Sequence, residues 1–104
     1  MKAENGILKG ELKVRGGKLI KCRMRVRGSV IEEIKFSGDF FMYPEEKIEE
    51  LEEILKGVEF TEEKIRGMVI PFFDNTELIG ASPEDFVTVV SITIKNLKKG
   101  EKDV

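Results

Sequence analysis

Apolar and basic residues alternate strictly from residue 20 to residue 27 of the chain. The apolar positions are Ile20, Cys22, Met24 and Val26. The positions between them are Lys21, Arg23, Arg25 and Arg27. Because successive side chains of a β-strand point to opposite faces, this period of two predicts a strand with one buried face and one basic face.

Two further alternating runs flank this strand. Residues 8–14 precede it and are separated from it by Gly16-Gly17, a pair that suits a tight hairpin turn because glycine readily adopts positive φ. Residues 30–37 follow it after the turn signal Gly28-Ser29 and place Ile34 and Phe36 on one face. The pattern therefore predicts a three-stranded antiparallel meander.

The spacing of apolar residues becomes helical after Tyr43. Pro44 suits the first turn of a helix, whose apolar face is Ile48, Leu51, Ile54 and Leu55 and which ends at Gly57. Thr61 suits the N-cap of a second helix, which Pro71 should end or kink. We predict a loop through Asp74 to Gly80 after it.

A third helix is predicted from Ser82, where a hydroxyl N-cap, a proline and an acidic residue follow in order. Residues 86–96 also suit a strand, because valine, threonine and isoleucine are frequent there. We choose the helix because the cap is specific. Residues 1–6 and 98–104 are predicted to fray.

These elements predict a single α+β domain spanning residues 1–104. A small sheet cannot bury its apolar face alone, so about three helices should cover that face in a second layer. The basic stripe would then lie on the opposite, exposed face. We interpret the stripe as a solvated strand face, with docking of an acidic partner or binding of nucleic acid as alternatives.

The composition argues against catalysis by this chain alone. The 104 residues include no histidine and one cysteine, which removes the commonest general base, any internal disulfide and a metal site built from cysteines. We expect Cys22 to be a small buried apolar residue. The abundance of lysine and glutamate is typical of thermophilic proteins.

Charge is distributed unevenly although the net charge is only −2. Residues 1–43 carry 10 Lys/Arg and 5 Asp/Glu, whereas residues 44–104 carry 8 and 15. No apolar run is long enough to span a membrane, and the first ten residues do not resemble a signal peptide. We therefore expect a cytoplasmic protein whose basic half contributes to partner choice.

The link between the third strand and the first helix reads Gly38-Asp39-Phe40-Phe41. Gly38 permits a backbone conformation or a close approach that a side chain would forbid. Asp39 can accept hydrogen bonds from turn amides, with contact to substrate or partner as the alternative. Phe40 and Phe41 should point in opposite directions, so at most one enters the core and the other is a candidate for an interface.

Here the sequence resembles the C-terminal domain of lipoate-protein ligases, and more closely its free-standing archaeal form, the accessory subunit. The resemblance covers residues 8–97. Its motifs are Lys13, Gly16-Gly17-Lys18-Leu19, Gly38-Asp39-Phe40-Phe41, Pro44-Glu45-Glu46, Leu51-Glu52 and Leu55-Lys56-Gly57. The resemblance implies an α+β fold similar to that of iron-sulfur assembly proteins of the SufE and IscU type, although their cysteines are lacking here.

The resemblance also implies a division of labour between two subunits. A large catalytic subunit would bind ATP, Mg²⁺ and lipoate, form lipoyl-AMP and pass the lipoyl group to an acceptor domain. This chain would bind no cofactor alone and would be needed for adenylate formation. The glycine-rich and lysine motifs of the catalytic domain are absent from the sequence, which favours a non-catalytic role.

The resemblance implies two sets of site residues. Gly38, Asp39, Phe40 and Phe41 would contact the catalytic subunit. Lys18, after Gly16 and Gly17, would reach an anionic group near the adenylate, with a simply solvated lysine as the alternative. The competing functions, a nucleic-acid-binding module and an iron-sulfur scaffold, rank lower because the basic face lacks aromatic residues and Cys22 stands alone.

Overall fold

The computed structural model describes the backbone of residues 7–103 and the side chains up to residue 96. The strands are β1 Ile7–Lys13, β2 Leu19–Arg27, β3 Val30–Gly38, β4 Phe41–Tyr43 and β5 Glu77–Ile79. The helices are α1 Lys47–Leu55, α2 Glu62–Phe72 and α3 Pro83–Asp103. Strands β1, β2 and β3 form the predicted antiparallel meander, and β4 pairs with β5 in a second sheet. The predicted α+β class is confirmed.

The three-stranded sheet buries the face that the alternation predicts. The alternating apolar residues of β2 from Ile20 to Val26 are at most 2% exposed, and the cations between them are exposed. In β3 the register shifts, because Arg25 pairs with Glu33 and Val26 pairs with Ile31. The bulge at Glu32 explains how Ile31 and Ile34, three residues apart, both reach the core.

The connection between β1 and β2 is wider than the predicted two-glycine turn. It spans residues 14–18 and contains a 3-10 turn at Arg15–Gly17. The amide of Val14 donates to the carbonyl of Lys18 over 2.8 Å and closes the loop, so the tight hairpin prediction was wrong. Gly16 does adopt a positive φ, of 84°.

Helix α1 begins later than predicted. Pro44 lies in a turn closed by a 3.0 Å hydrogen bond from the amide of Lys47 to the Pro44 carbonyl, so it precedes the helix. The helix ends before Gly57, which has a φ of 82°. The predicted end of α1 at Gly57 is therefore confirmed, whereas the predicted start at Pro44 was wrong.

Helix α2 begins at the predicted cap, where the hydroxyl oxygen of Thr61 accepts a 3.2 Å hydrogen bond from the amide of Lys64. Pro71 occupies its penultimate position, and a 3-10 turn at Phe73–Asn75 follows. The loop predicted through Asp74 to Gly80 was wrong in part. Residues 77–79 form β5, whose partner β4 lies far away in the sequence.

Helix α3 begins with the predicted capping box. The amide of Asp85 donates to the Ser82 hydroxyl over 3.3 Å, and the amide of Ser82 donates to the Asp85 carboxylate over 2.9 Å. Residues 86–96 are helical, which decides against the strand. The helix extends to Asp103 and so includes residues 98–103, which were predicted to fray. Lysine and glutamate in this stretch favour helix. The predicted fraying of residues 1–6 lies outside the described residues.

The core lies between the sheet and the helices. Fully buried Phe86 of α3 is its centre, with the rings of Phe36, Phe40 and Phe73 at centroid distances of 5.2, 5.0 and 5.4 Å. One carboxylate is also buried here, that of Glu52 on α1. It accepts a 2.9 Å hydrogen bond from the Phe36 amide and thereby satisfies an edge group of β3.

Candidate functional site

The Gly38-Asp39 segment forms a tight junction between two strands. Gly38 has a φ of 141°, and a Cβ atom there would overlap the carbonyl oxygen of Leu19, so the position requires glycine. The amide of Asp39 donates to the Leu19 carbonyl over 2.8 Å. The amide of Leu19 donates in return to the Asp39 carboxylate over 3.1 Å. Asp39 thus joins the end of β3 to the start of β2, and the predicted bonding to a backbone amide is observed.

A third segment closes onto this junction at Gly80. Gly80 has a φ of 93°, and a Cβ atom there would lie 2.9 Å from the carbonyl oxygen of Asp39 and 3.7 Å from Cδ of Lys18. Lys18 itself is exposed. We call Lys18, Gly38, Asp39 and Gly80 the corner. The structure therefore brings together two motifs that the sequence presented separately, the Gly16-Gly17-Lys18 loop and the Gly38-Asp39 turn.

The two adjacent phenylalanines point in opposite directions, as predicted. The Phe40 ring packs edge-on against Phe86 and belongs to the margin of the core. The Phe41 side chain is 62% exposed. Phe41 is therefore the member of the pair that is available to a partner.

The two-stranded sheet of β4 and β5, which we call the ribbon, has large apolar residues on both faces, with Glu77 as the one charged residue of its outer face. Its inner face contains Met42, which is buried, and Leu78, which packs partly against the core. On the outer face Phe41 pairs with Ile79, and Tyr43 lies two residues from Phe41. Four large apolar side chains of the described residues are strongly exposed, and three of them form this outer face. Such a cluster is typical of a surface that another molecule covers.

The sequence interpretation missed Tyr43, Ile79 and Gly80 as members of the site. The alternation within Phe41-Met42-Tyr43 was a signal for a short strand, but it was too short to distinguish from a loop. Ile79 and Gly80 gave no local signal, because their position depends on pairing with a distant strand.

Within residues 7–96 no three His, Cys, Asp or Glu side chains gather as metal ligands, and no described helix is long and apolar enough to cross a membrane. Burial raises the pKa of the Cys22 thiol to about 12, although a hydrogen bond with Thr93 acts in the opposite direction. A thiol with this pKa is protonated at neutral pH and is a poor nucleophile.

The corner and the ribbon include Lys18, Gly38, Asp39 and Phe41 from the motifs that carry the family resemblance, and comparison with known proteins identifies the family. The profile of a family described as the bacterial lipoate protein ligase C-terminus matches residues 4–90. The chain belongs to this family of lipoate-protein ligase C-terminal domains.

Two relatives from Thermoplasma acidophilum are similar over most of the chain. Lipoate-protein ligase A subunit 2 is 36% identical over 75 residues, which cover 71% of this chain and 78% of that protein. A solved structure of an archaeal lipoylation system, with a bipartite lipoate protein ligase and its E2 lipoyl domain, contains a chain that aligns with a TM-score of 0.71 at 31% identity. That alignment covers 82% of this chain and 94% of the other. The resemblance drawn from the residues is confirmed.

Proposed function

We propose that this chain is the accessory subunit of a two-component lipoate-protein ligase. It would act with a separate catalytic subunit in the ATP-dependent formation of lipoyl-AMP, and hence in the lipoylation of acceptor proteins. The observation that carries the proposal is family membership. The chain matches the C-terminal part of these ligases, and a relative that it matches over most of its length is named subunit 2 of such an enzyme.

The chemistry of the described side chains agrees with a supporting role. ATP, Mg²⁺ and lipoate would be bound by the catalytic subunit, since the corner offers one positive charge, that of Lys18, and its carboxylate, Asp39, already accepts the Leu19 amide. Lys18 suits contact with a phosphate or carboxylate group at a shared site. The two glycines before it, Gly16 and Gly17, would keep the approach to such a group free of side chains.

The outer face of the ribbon, together with the Gly38-Asp39 turn, is the proposed interface with the catalytic subunit. Phe41 is its central anchor because aromatic side chains that become fully buried contribute most of the binding energy at many interfaces. Ile79 and Tyr43 flank it on the same face. This face extends the interface predicted from the sequence beyond Gly38, Asp39, Phe40 and Phe41.

The direct test measures lipoate-dependent exchange of pyrophosphate into ATP. The catalytic subunit and this chain are assayed separately and then together. We expect activity only when both are present, because neither would contain a complete adenylation site. Full activity of the catalytic subunit alone would refute the proposal, as would exchange catalysed by this chain alone.

A variant pair tests Lys18. Lys18→Ala should lower the rate of lipoyl-AMP formation by about tenfold while affinity for the catalytic subunit is kept, and Lys18→Arg should restore most of the rate. Equal rates for Lys18→Ala and wild type would assign Lys18 to the solvated surface.

A further inference from the structure

The exposed face of the three-stranded sheet contains a row of like charges. Lys9 of β1 lies directly opposite Arg23 of β2, and Arg23 lies directly opposite Lys35 of β3. Like charges in directly opposite positions destabilise a sheet. The row is therefore a feature that folding alone does not favour.

Carboxylates pair with the cations at one end of this face, whereas in its middle Lys35 alone among the described cations has an ion-pair partner. Arg25 lies 3.4 Å from Glu33, and Arg27 lies 3.2 Å from Glu32. Lys9, Lys21 and Arg23 make no ion pair with any described residue, and Lys35 lies 3.7 Å from the largely buried Glu52. A groove of about 510 Å³ is lined by four cations and one carboxylate, namely Lys9, Lys21, Arg23, Lys35 and Glu11. The centre of the face is thus a positively charged depression.

The side chains of this face favour an acidic protein over nucleic acid. Single-stranded nucleic acids are held largely by aromatic rings that stack on bases, and none of the described residues on this face is aromatic. Glu11 and Glu33 interrupt the positive charge of this face, and they would repel the continuous row of phosphates in a nucleic acid. An acidic protein has its carboxylates at fixed positions on its surface, and these positions can lie away from Glu11 and Glu33.

In the proposed function this chain meets two proteins, the catalytic subunit and the protein that receives the lipoyl group. Its two exposed surfaces, the apolar ribbon and the basic sheet face, differ in a way that suits one of these proteins each. A lasting contact with the catalytic subunit suits the apolar ribbon. A substrate protein must arrive and leave in every turnover, and electrostatic attraction speeds encounter without requiring a large apolar contact. The basic face therefore fits the substrate protein.

We propose that the basic row of Lys9, Arg23 and Lys35 is a docking surface for an acidic surface of the protein that receives the lipoyl group. This inference rests on the proposed function of the chain as an accessory subunit. It assigns to the chain a second task, the recruitment of the acceptor.

The test is lipoyl transfer to an unlipoylated E2 lipoyl domain from the same organism, with the catalytic subunit present. Arg23→Glu should raise the KM for this domain about tenfold at low ionic strength, and added salt should reduce the difference. Lys64→Glu is the matched control, since it changes the net charge equally on α2, away from the sheet, and should leave this KM unchanged. The carboxylate at position 23 would face Lys9 and Lys35, so the thermal midpoint should stay equal or rise.

Formation of lipoyl-AMP is measured in the same preparations. If the wild-type chain fails to stimulate it, the proposed function itself is wrong. If stimulation is intact and the KM for the E2 lipoyl domain is the same in Arg23→Glu and wild type, the docking inference alone is wrong. Loss of binding to a single-stranded RNA oligonucleotide with an unchanged KM would also overturn it and assign the face to nucleic acid.

Discussion

The two sheets of this protein differ in the chemical character of the surface that they expose. The three-stranded sheet buries an apolar face under the helices and presents charged residues on its other face. The ribbon of β4 and β5 has apolar residues on both faces, with Met42 inside and Phe41, Tyr43 and Ile79 outside. The first surface is compatible with water, whereas the second is better suited to contact with another protein.

This difference in exposed surface distinguishes positions that stabilise the fold from positions that would contact a partner. Substitutions at the junctions of the three-stranded sheet should change the free energy of unfolding. Substitutions on the outer face of the ribbon should change the affinity for the catalytic subunit and leave the fold intact.

Gly38→Ala should have the largest effect on stability. The new methyl group would overlap the Leu19 carbonyl oxygen in a backbone conformation that alanine rarely adopts, so we expect a loss of about 3 kcal/mol in urea unfolding. Gly67→Ala is the control, since a Cβ there meets nothing within 4 Å, and it should stabilise helix α2 by about 1 kcal/mol. Equal stability of Gly38→Ala and wild type would show that the junction is not tight.

Phe41→Ala should weaken the complex with the catalytic subunit by about 2 kcal/mol, because a central aromatic anchor is removed. Its free energy of unfolding should change by less than about 0.5 kcal/mol, since the side chain is largely exposed. Calorimetric titration measures the affinity. Ile7→Ala is the matched control, because Ile7 is also exposed but lies on β1, and an equal loss of affinity there would remove the special role of the ribbon.

Phe40→Ala sharpens the contrast between the neighbouring rings. The family resemblance placed both phenylalanines at the interface, and the sequence did not decide which of the two enters the core. Because Phe40 packs on Phe86, we now expect its truncation to lower stability by about 2 kcal/mol. Urea unfolding would contradict this if Phe40→Ala and Phe41→Ala were equally stable.

Glu52→Ala should cost about 2 kcal/mol, because it leaves the Phe36 amide at the edge of β3 without its acceptor. Glu52→Gln keeps an oxygen in the same place and should cost about half as much. Denaturant unfolding of the two variants measures the difference. If both variants unfold like the wild type, the buried carboxylate contributes nothing to closing the sheet edge.

The pH dependence of Cys22 should give the smallest effect near neutrality. Its ordinary pKa is 9.0 and its folded pKa is about 12, so above pH 9 the unfolded chain loses a proton that the folded chain keeps. This contribution to stability is complete below pH 9 and falls as the pH rises towards 12, by at most about 1.4 kcal/mol per pH unit. Cys22→Ala should lack it. Parallel pH profiles of the two proteins, measured in urea, would contradict the predicted shift.

The sequence by itself determined the elements whose signals lie within a few residues. The alternation around Ile20 predicted the strand and its exposed cations, and Thr61 and Ser82 predicted helix caps that the structure shows. The Gly38-Asp39-Phe40-Phe41 motif suggested the family in combination with the downstream Leu51-Glu52 and Leu55-Lys56-Gly57. These features depend on backbone preferences and on nearest neighbours along the chain.

Only the tertiary structure decided which distant segments meet. Residues from separate elements meet in three places. Phe41 pairs with Ile79, Gly80 approaches Asp39 and Lys18, and Lys9 lies opposite Arg23. The choice of Phe40 for the core was settled in the same way, by its contact with Phe86. Such contacts gain their energy from burial between elements, so no short stretch of sequence contains the information that fixes them.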